Sequence, residues 1–262
     1  MTRSLSIAAT GMLAQQLNVE VISNNIANLN TTGFKRQRAE FQDLIYQNQT
    51  RVGSTSTDGG SIVPAGIQLG TGVNAGAVYR ITEQGSMVQT GNTYDLAVQG
   101  KGYFRVVQPD GQESYTRAGS FQLSPTGDVV TQDGFQVSPG VTVPPDAIGV
   151  TINESGEVLV SIDGQVDPTN VGQLELVTFT NEAGLEAVGG NLFQETPASG
   201  AATVGTPGTA GVGTVLQGFL ETANVNPVSE ITYLITAQRA YEMNSRVITA
   251  SDEMLRTITN LR

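Results

Sequence analysis

Residues 228–262, VSEITYLITAQRAYEMNSRVITASDEMLRTITNLR, decide how the chain is to be read. Thirty-five residues pass without a Gly or Pro, the two residues that most disfavour a helix interior. Leu234, Ala237, Tyr241, Asn244, Ile248, Ser251, Leu255 and Ile258 step by alternating threes and fours. That is heptad a/d spacing, and it predicts one helix about 50 Å long. Asn224 or Asn226 is placed to cap its start, with Pro227 in or near the first turn.

The opposite end repeats the pattern. Leu5, Ala8, Met12, Gln15, Val19, Ile22 and Ile26 follow the same alternation. It runs into SNNIANLNTTGF (23–34), where Asn28, Asn30 and Gly33 supply a helix stop. Asn24 and Asn25 have a second possible role, setting register between packed helices at some cost in stability. Two helices could pair as a hairpin within one molecule or pack between molecules. Only five of the eight positions in the C-terminal row are large and apolar, which is thin cover for so long a helix. Assembly, which buries more surface than one copy can, is the expectation.

Between the ends the period falls to two. Tyr94, Leu96 and Val98 point one way, and Asp95, Ala97 and Gln99 the other. Similar runs lie at 103–107, 120–123, 149–153, 157–162 and 173–180. Pro109-Asp110-Gly111, Thr126-Gly127-Asp128, Asp133-Gly134, Ser155-Gly156 and Asp163-Gly164 punctuate them as hairpin turns do. The middle therefore reads as a β domain. Gly/Ser/Thr-rich stretches at 49–76 and 197–214 read as extended connectors.

The chemical inventory argues against catalysis. Among 262 residues there is no Cys, His or Trp, so thiolate chemistry and the commonest general base and metal ligand are missing. No Asp-Gly turn has the alternating oxygen ligands of a calcium loop. The Gly-x-Gly steps at 70–72 and 100–102 lack the helix that a phosphate cradle needs. Asp128 and Asp133 could form an acid/base pair only if the fold joined them, and solvated turn acids are the simpler reading. No catalytic, cofactor or metal site is expected, and no small-molecule substrate.

The net charge of −11 is uneven: +1 over residues 1–58, zero over 228–262 and −12 between. An acidic middle repels nucleic acid, and near-neutral ends suit association. No apolar run reaches membrane-spanning length, and the N-terminal stretch, broken by Ser6, Thr10 and Gly11, makes a poor cleavable signal peptide.

These stretches also carry a resemblance. SLSIAATGMLAQQLNVEVISNNIANLNTTGFKRQRAEFQDL (4–44) resembles the N-terminal signature of bacterial flagellar rod and hook proteins, and residues 224–261 resemble the C-terminal one. GKGYFRV (100–106) and YTRAGSFQLSPTGDVVTQDGFQV (115–137) are similar to the β domain of these axial proteins. The resemblance implies an α+β fold. Its parts are helical segments 1–45 and 224–262 paired as a coiled-coil-like inner domain, an outer β domain at 93–190, and connectors at 46–92 and 191–223. It implies helical polymerisation into a rigid hollow drive shaft that transmits torque and carries export substrates, at the rod's distal end. A proximal-rod or hook-family subunit is the alternative, and a secreted β-rich carbohydrate-active or carbohydrate-binding protein a remote one. Implied partners are further copies, proximal rod proteins, hook protein, the P-ring and L-ring bushing proteins and the flagellar export apparatus. The implied location is the basal body, spanning the periplasm, after export without a cleavable signal. Helix packing would rest on Leu5, Met12, Val19, Ile22, Asn24, Asn25, Ile26, Leu234, Tyr241, Asn244, Ile248, Leu255 and Ile258. The connector at 46–73 would brace neighbouring copies through Ile62, Val63, Ile67 and Leu69.

Overall fold

The computed structural model describes residues 2–50, 65–165 and 167–260. Helix α1 spans Thr2–Ala27 and helix α2 spans Pro227–Asn260, with a mostly β region between them, so the fold is α+β. Two compact units form. One comprises residues 1–26, 37–79 and 226–262, and the other residues 27–36 and 80–225.

In the helical unit, α2 starts where its sequence says it should. Asn226 Oδ1 accepts from the backbone N–H of Val228 at 3.0 Å and of Ser229 at 3.3 Å, which satisfies two otherwise orphaned donors. Pro227 is the first helical residue, where its missing N–H costs nothing. Among the described residues, the unit also holds four strands: β1 (Gln37–Asp43), β2 (Tyr46–Thr50), β3 (Ile67–Gly70) and β4 (Val73–Arg80, of which Arg80 belongs to the other unit). β1 pairs with β4, and β2 pairs antiparallel with β3. Among the described residues of the expected connector, β2 and β3 form one narrow ribbon, and β4 forms another with β1.

In the β unit, the strand at Tyr103–Val107 is the hub of a nine-stranded sheet, pairing with Glu113–Thr116, Gln136–Val137 and Leu176–Thr178. A three-stranded antiparallel sheet joins Ala147–Ile152, Glu157–Ile162 and Thr169–Gln173. Leu96–Gln99 pairs with Thr214–Gln217. Leu96, Val98, Phe104, Val106, Phe121, Leu174 and Leu176 fill one contiguous apolar core. Phe104 and Phe121 meet edge to face, their centroids 5.1 Å apart. Gly119 has no room for a side chain: a Cβ there would overlap the carbonyl oxygen of Leu96, whose N–H bonds back to Gly119 at 2.9 Å.

Three sequence readings change. Asp95, Leu96, Ala97 and Val98 are all buried, so this stretch has no wet face and its alternation does not separate core from solvent. The run at 173–180 divides between two sheets. Residues 191–223 are more than a connector: they hold strands Leu192–Gln194, Thr203–Gly205, Thr214–Gln217 and Phe219–Glu221, and bury Leu192 and Val215 in the core.

Candidate functional site

In the helical unit, α1 and α2 meet through small and polar side chains. Ser4 Oγ lies 3.3 Å from Ser251 Oγ. A Cβ on Gly11 would come within 2.8 Å of Asn244 Nδ2, so Asn244 lies across the gap that glycine leaves. Asn25 Nδ2 donates to Glu230 Oε2 at 3.2 Å. From Ser4 to Gly11 is seven residues forward, and from Ser251 to Asn244 seven back. Asn25 and Glu230 lie two further heptads along, so the helices run antiparallel in one register. Ala8 and Ala14 on α1 and Ala237 on α2 are buried as well. Small residues permit close backbone approach, which large side chains at the same positions would prevent.

Asn25 is the polar centre of this seam. It is 1% exposed and holds Gln37 with both ends of its amide: Nδ2 donates to Gln37 O at 2.9 Å, and Oδ1 accepts from Gln37 N at 2.8 Å. Glu230, 2% exposed, is its third contact. A buried amide with such partners fixes geometry, because any slip leaves buried polar groups unmatched.

The other sequence-selected residues divide by position. Ile22 is buried, while Leu5, Met12, Val19, Ile26, Leu234, Asn244, Ile248 and Leu255 are half-buried. Asn24, Tyr241 and Ile258 are exposed. On β3, Ile67 and Leu69 are exposed, whereas Ile62 and Val63 lie outside the described residues.

Large apolar side chains crowd the surface of this unit. On α2, Tyr233, Met243, Val247 and Met254 form a second stripe, about 40–100° around the helix from the row through Ala237, Asn244 and Ser251. Met243 is 61% exposed. Val228, Ile231 and Ile235 add a further exposed group near the start of α2, and Leu13 another on α1. Isolated exposed apolar residues are ordinary, but a stripe of them marks an interaction surface.

The β unit contains a charged cluster that no sequence pattern announced. Lys35 Nζ contacts Glu221 Oε1 at 2.7 Å, and Arg117 Nε contacts Glu221 Oε2 at 2.6 Å. Their side chains are 4%, 1% and 5% exposed, for Lys35, Glu221 and Arg117 respectively. Lys35 also donates to Glu83 O at 2.8 Å, and Arg117 to the carbonyls of Val98, Gly100 and Gly102. Burial pushes the Lys35 ammonium below its ordinary pKa, against the pull of Glu221. Burial would raise Glu221, but the charges of Arg117 and then Lys35 outweigh it and hold the carboxyl below its usual range. Beside the cluster, Gly33 N donates to Glu221 O at 2.8 Å, and Arg36 N to Asn224 Oδ1 at 2.7 Å. The chain segments that continue into α1 and α2 are therefore tied together here. The pairs span many tens of residues, so no local spacing could have revealed them.

Among the described residues, no group of three or more Asp or Glu could hold a metal ion, and no helix is long and apolar enough to cross a membrane.

Comparison with known proteins agrees with this architecture. Residues 5–35 match the family described as flagella basal body rod protein. Residues 97–160 match the flagellar hook protein FlgE/F/G D1 domain, and residues 216–261 the C-terminal region of flagellar basal body rod FlgEFG proteins. The chain is 59% identical over 260 residues to flagellar basal-body rod protein FlgG of Caulobacter vibrioides, covering 99% of each chain. It is 52% identical to FlgG of Agrobacterium fabrum over 96% of each chain. With FlgG of Bacillus subtilis it shares 40% identity over the whole of both. These relatives are structural proteins, not enzymes. The chain belongs to the FlgG family of flagellar basal-body rod proteins.

Proposed function

We propose that this chain is a subunit of the distal segment of the flagellar rod, polymerising into a rigid hollow shaft that carries torque from motor to hook. In this reading the two helices act as a coiled-coil-like pair lining the channel through which export substrates pass. Each pair packs against pairs from further copies. The β unit supplies the surface that turns within the P-ring and L-ring. Proximal rod proteins and hook protein meet the two ends of the shaft, and the flagellar export apparatus delivers the subunits. The shaft would span the periplasm.

One observation supports the assembly reading above the rest. The seam within one copy is made of small and polar side chains, while Tyr233, Met243, Val247 and Met254 remain uncovered on α2. Burying a large aliphatic or Met side chain gains about 1.5–3 kcal/mol, so an uncovered stripe is a strong force for association. The test is Met243→Asp with Val247→Asp, followed by electron microscopy of concentrated protein. Wild type should form straight tubes. The double variant should form none, while its β-unit thermal transition stays unchanged. Normal tubes from the variant would overturn the assigned stripe, and curved tubes from wild type would favour a hook-family subunit.

A further inference from the structure

Next to the buried cluster of the β unit is a cavity of about 70 Å³, lined by Lys35, Thr82, Gly100, Lys101, Tyr103, Arg117 and Glu182. Its charges do not balance. Lys35 and Arg117 are buried cations that share one buried carboxylate, Glu221, which leaves one positive charge over. Buried charge is expensive unless it is matched. Exposed Lys101 adds a third cation at the rim, so that three cations face two carboxylates, Glu221 and Glu182. The one carboxylate lining the cavity, Glu182, accepts from the Tyr103 hydroxyl at 3.2 Å.

Donor accounting points the same way. An ammonium has three N–H groups, and the Lys35 side chain makes two hydrogen bonds, to Glu83 O and Glu221 Oε1. A guanidinium has five, and that of Arg117 makes four bonds: Nε to Glu221, one Nη to Gly102 O, the other to Val98 O and Gly100 O. One N–H on each cation is uncommitted, and both residues line the cavity. Excess positive charge, spare N–H donors and a space of small-ion size coincide in one place.

We propose that this cavity binds a small inorganic anion of chloride size, held by Lys35, Arg117 and Lys101. The site stands independently of the rod assignment, because every residue in it lies within the β unit of a single copy. Glu182 limits its affinity by repelling the ion across the cavity. Lys101 attracts the ion from the rim, where its loss leaves the buried cluster intact.

The test follows the thermal transition of the full-length monomer as chloride replaces gluconate at constant ionic strength. Tm should rise by roughly 2–4 °C and saturate, as expected for a ligand bound only by the folded state. Lys101→Met should weaken the midpoint several-fold, and Glu182→Gln should tighten it several-fold. Opposite shifts from two neighbouring substitutions are what a bound anion predicts and a general salt effect does not. A bromide-soaked crystal should show an anomalous peak beside Lys35 and Arg117. A linear, non-saturating response that is equal in all three proteins, or ordered water alone in the cavity, would overturn the proposal.

Discussion

The helical unit and the β unit differ in where they put their largest apolar side chains. In the β unit the large apolar residues are inside: Phe104, Phe121, Leu96, Leu174 and Leu176 are almost wholly removed from water. In the helical unit the closest contacts are made by Ser4, Gly11, Asn25, Ser251 and Asn244, and large residues such as Leu13, Met243 and Val247 are outside. Buried apolar area is the main stabilising term of a fold. The β unit therefore carries its own stability. The helical unit holds a defined geometry on a small apolar surface and leaves its main hydrophobic driving force unspent, available to neighbours.

The severest test of this contrast is Gly119→Ala. The added Cβ would fall 1.5 Å from the Leu96 carbonyl oxygen, and neither backbone can move without opening the core. Destabilisation beyond about 4–5 kcal/mol is expected, enough to leave the β unit unfolded by near-ultraviolet circular dichroism. A native spectrum would break the contrast at its stronger side. Next comes Glu221→Gln, which leaves two buried cations without their carboxylate and should cost about 3–5 kcal/mol in urea unfolding. The sign with pH follows from the depressed carboxyl. Its contribution is complete above the unfolded value of about 4.3 and is lost as pH falls through the lower folded value. The gap between wild type and variant should therefore close below about pH 4, and a gap independent of pH would argue against a charged Glu221.

The smallest effect is expected in the helical unit. Asn25→Ala removes three hydrogen bonds, two of them to the Gln37 backbone, a cost of about 1–3 kcal/mol. Amide exchange should quicken along α1 and α2 while the strands of the β unit keep wild-type protection. Equal loss in both units would show that they do not differ in the way described.

The two units also differed in how much their sequence disclosed. α2 was legible from its start at Pro227 because helix signals are local: a capping Asn, a Pro in the first turn and a long run without Gly or Pro. The turns of the β unit were legible for the same reason, and Gly111, Gly127, Gly134, Gly156 and Gly164 all adopt positive φ. What lay hidden was distant pairing. Nothing near Lys35 points to Glu221, and nothing in the Gly-rich run before residue 215 shows that Val215 enters the core. The heptad through Leu5, Met12 and Val19 follows the largest side chains, whereas the seam contacts follow the smallest, at Ser4 and Gly11. One residue of offset is about 100° of rotation, and periodicity alone does not say which of two adjacent stripes turns inward.

The seven-residue step of the seam has a mechanical corollary. Ser4, Gly11 and Asn18 present small or short polar groups, and so do Asn244, Ala237 and Ser251 opposite. A shift of one heptad, about 10 Å along the axis, sets similar shapes against one another again. Asn25 interrupts this repetition, because its amide matches both Gln37 and Glu230 at a single position. The pair of helices resembles a toothed rack with one detent: even teeth let the rods lie close, and a single uneven one sets their length.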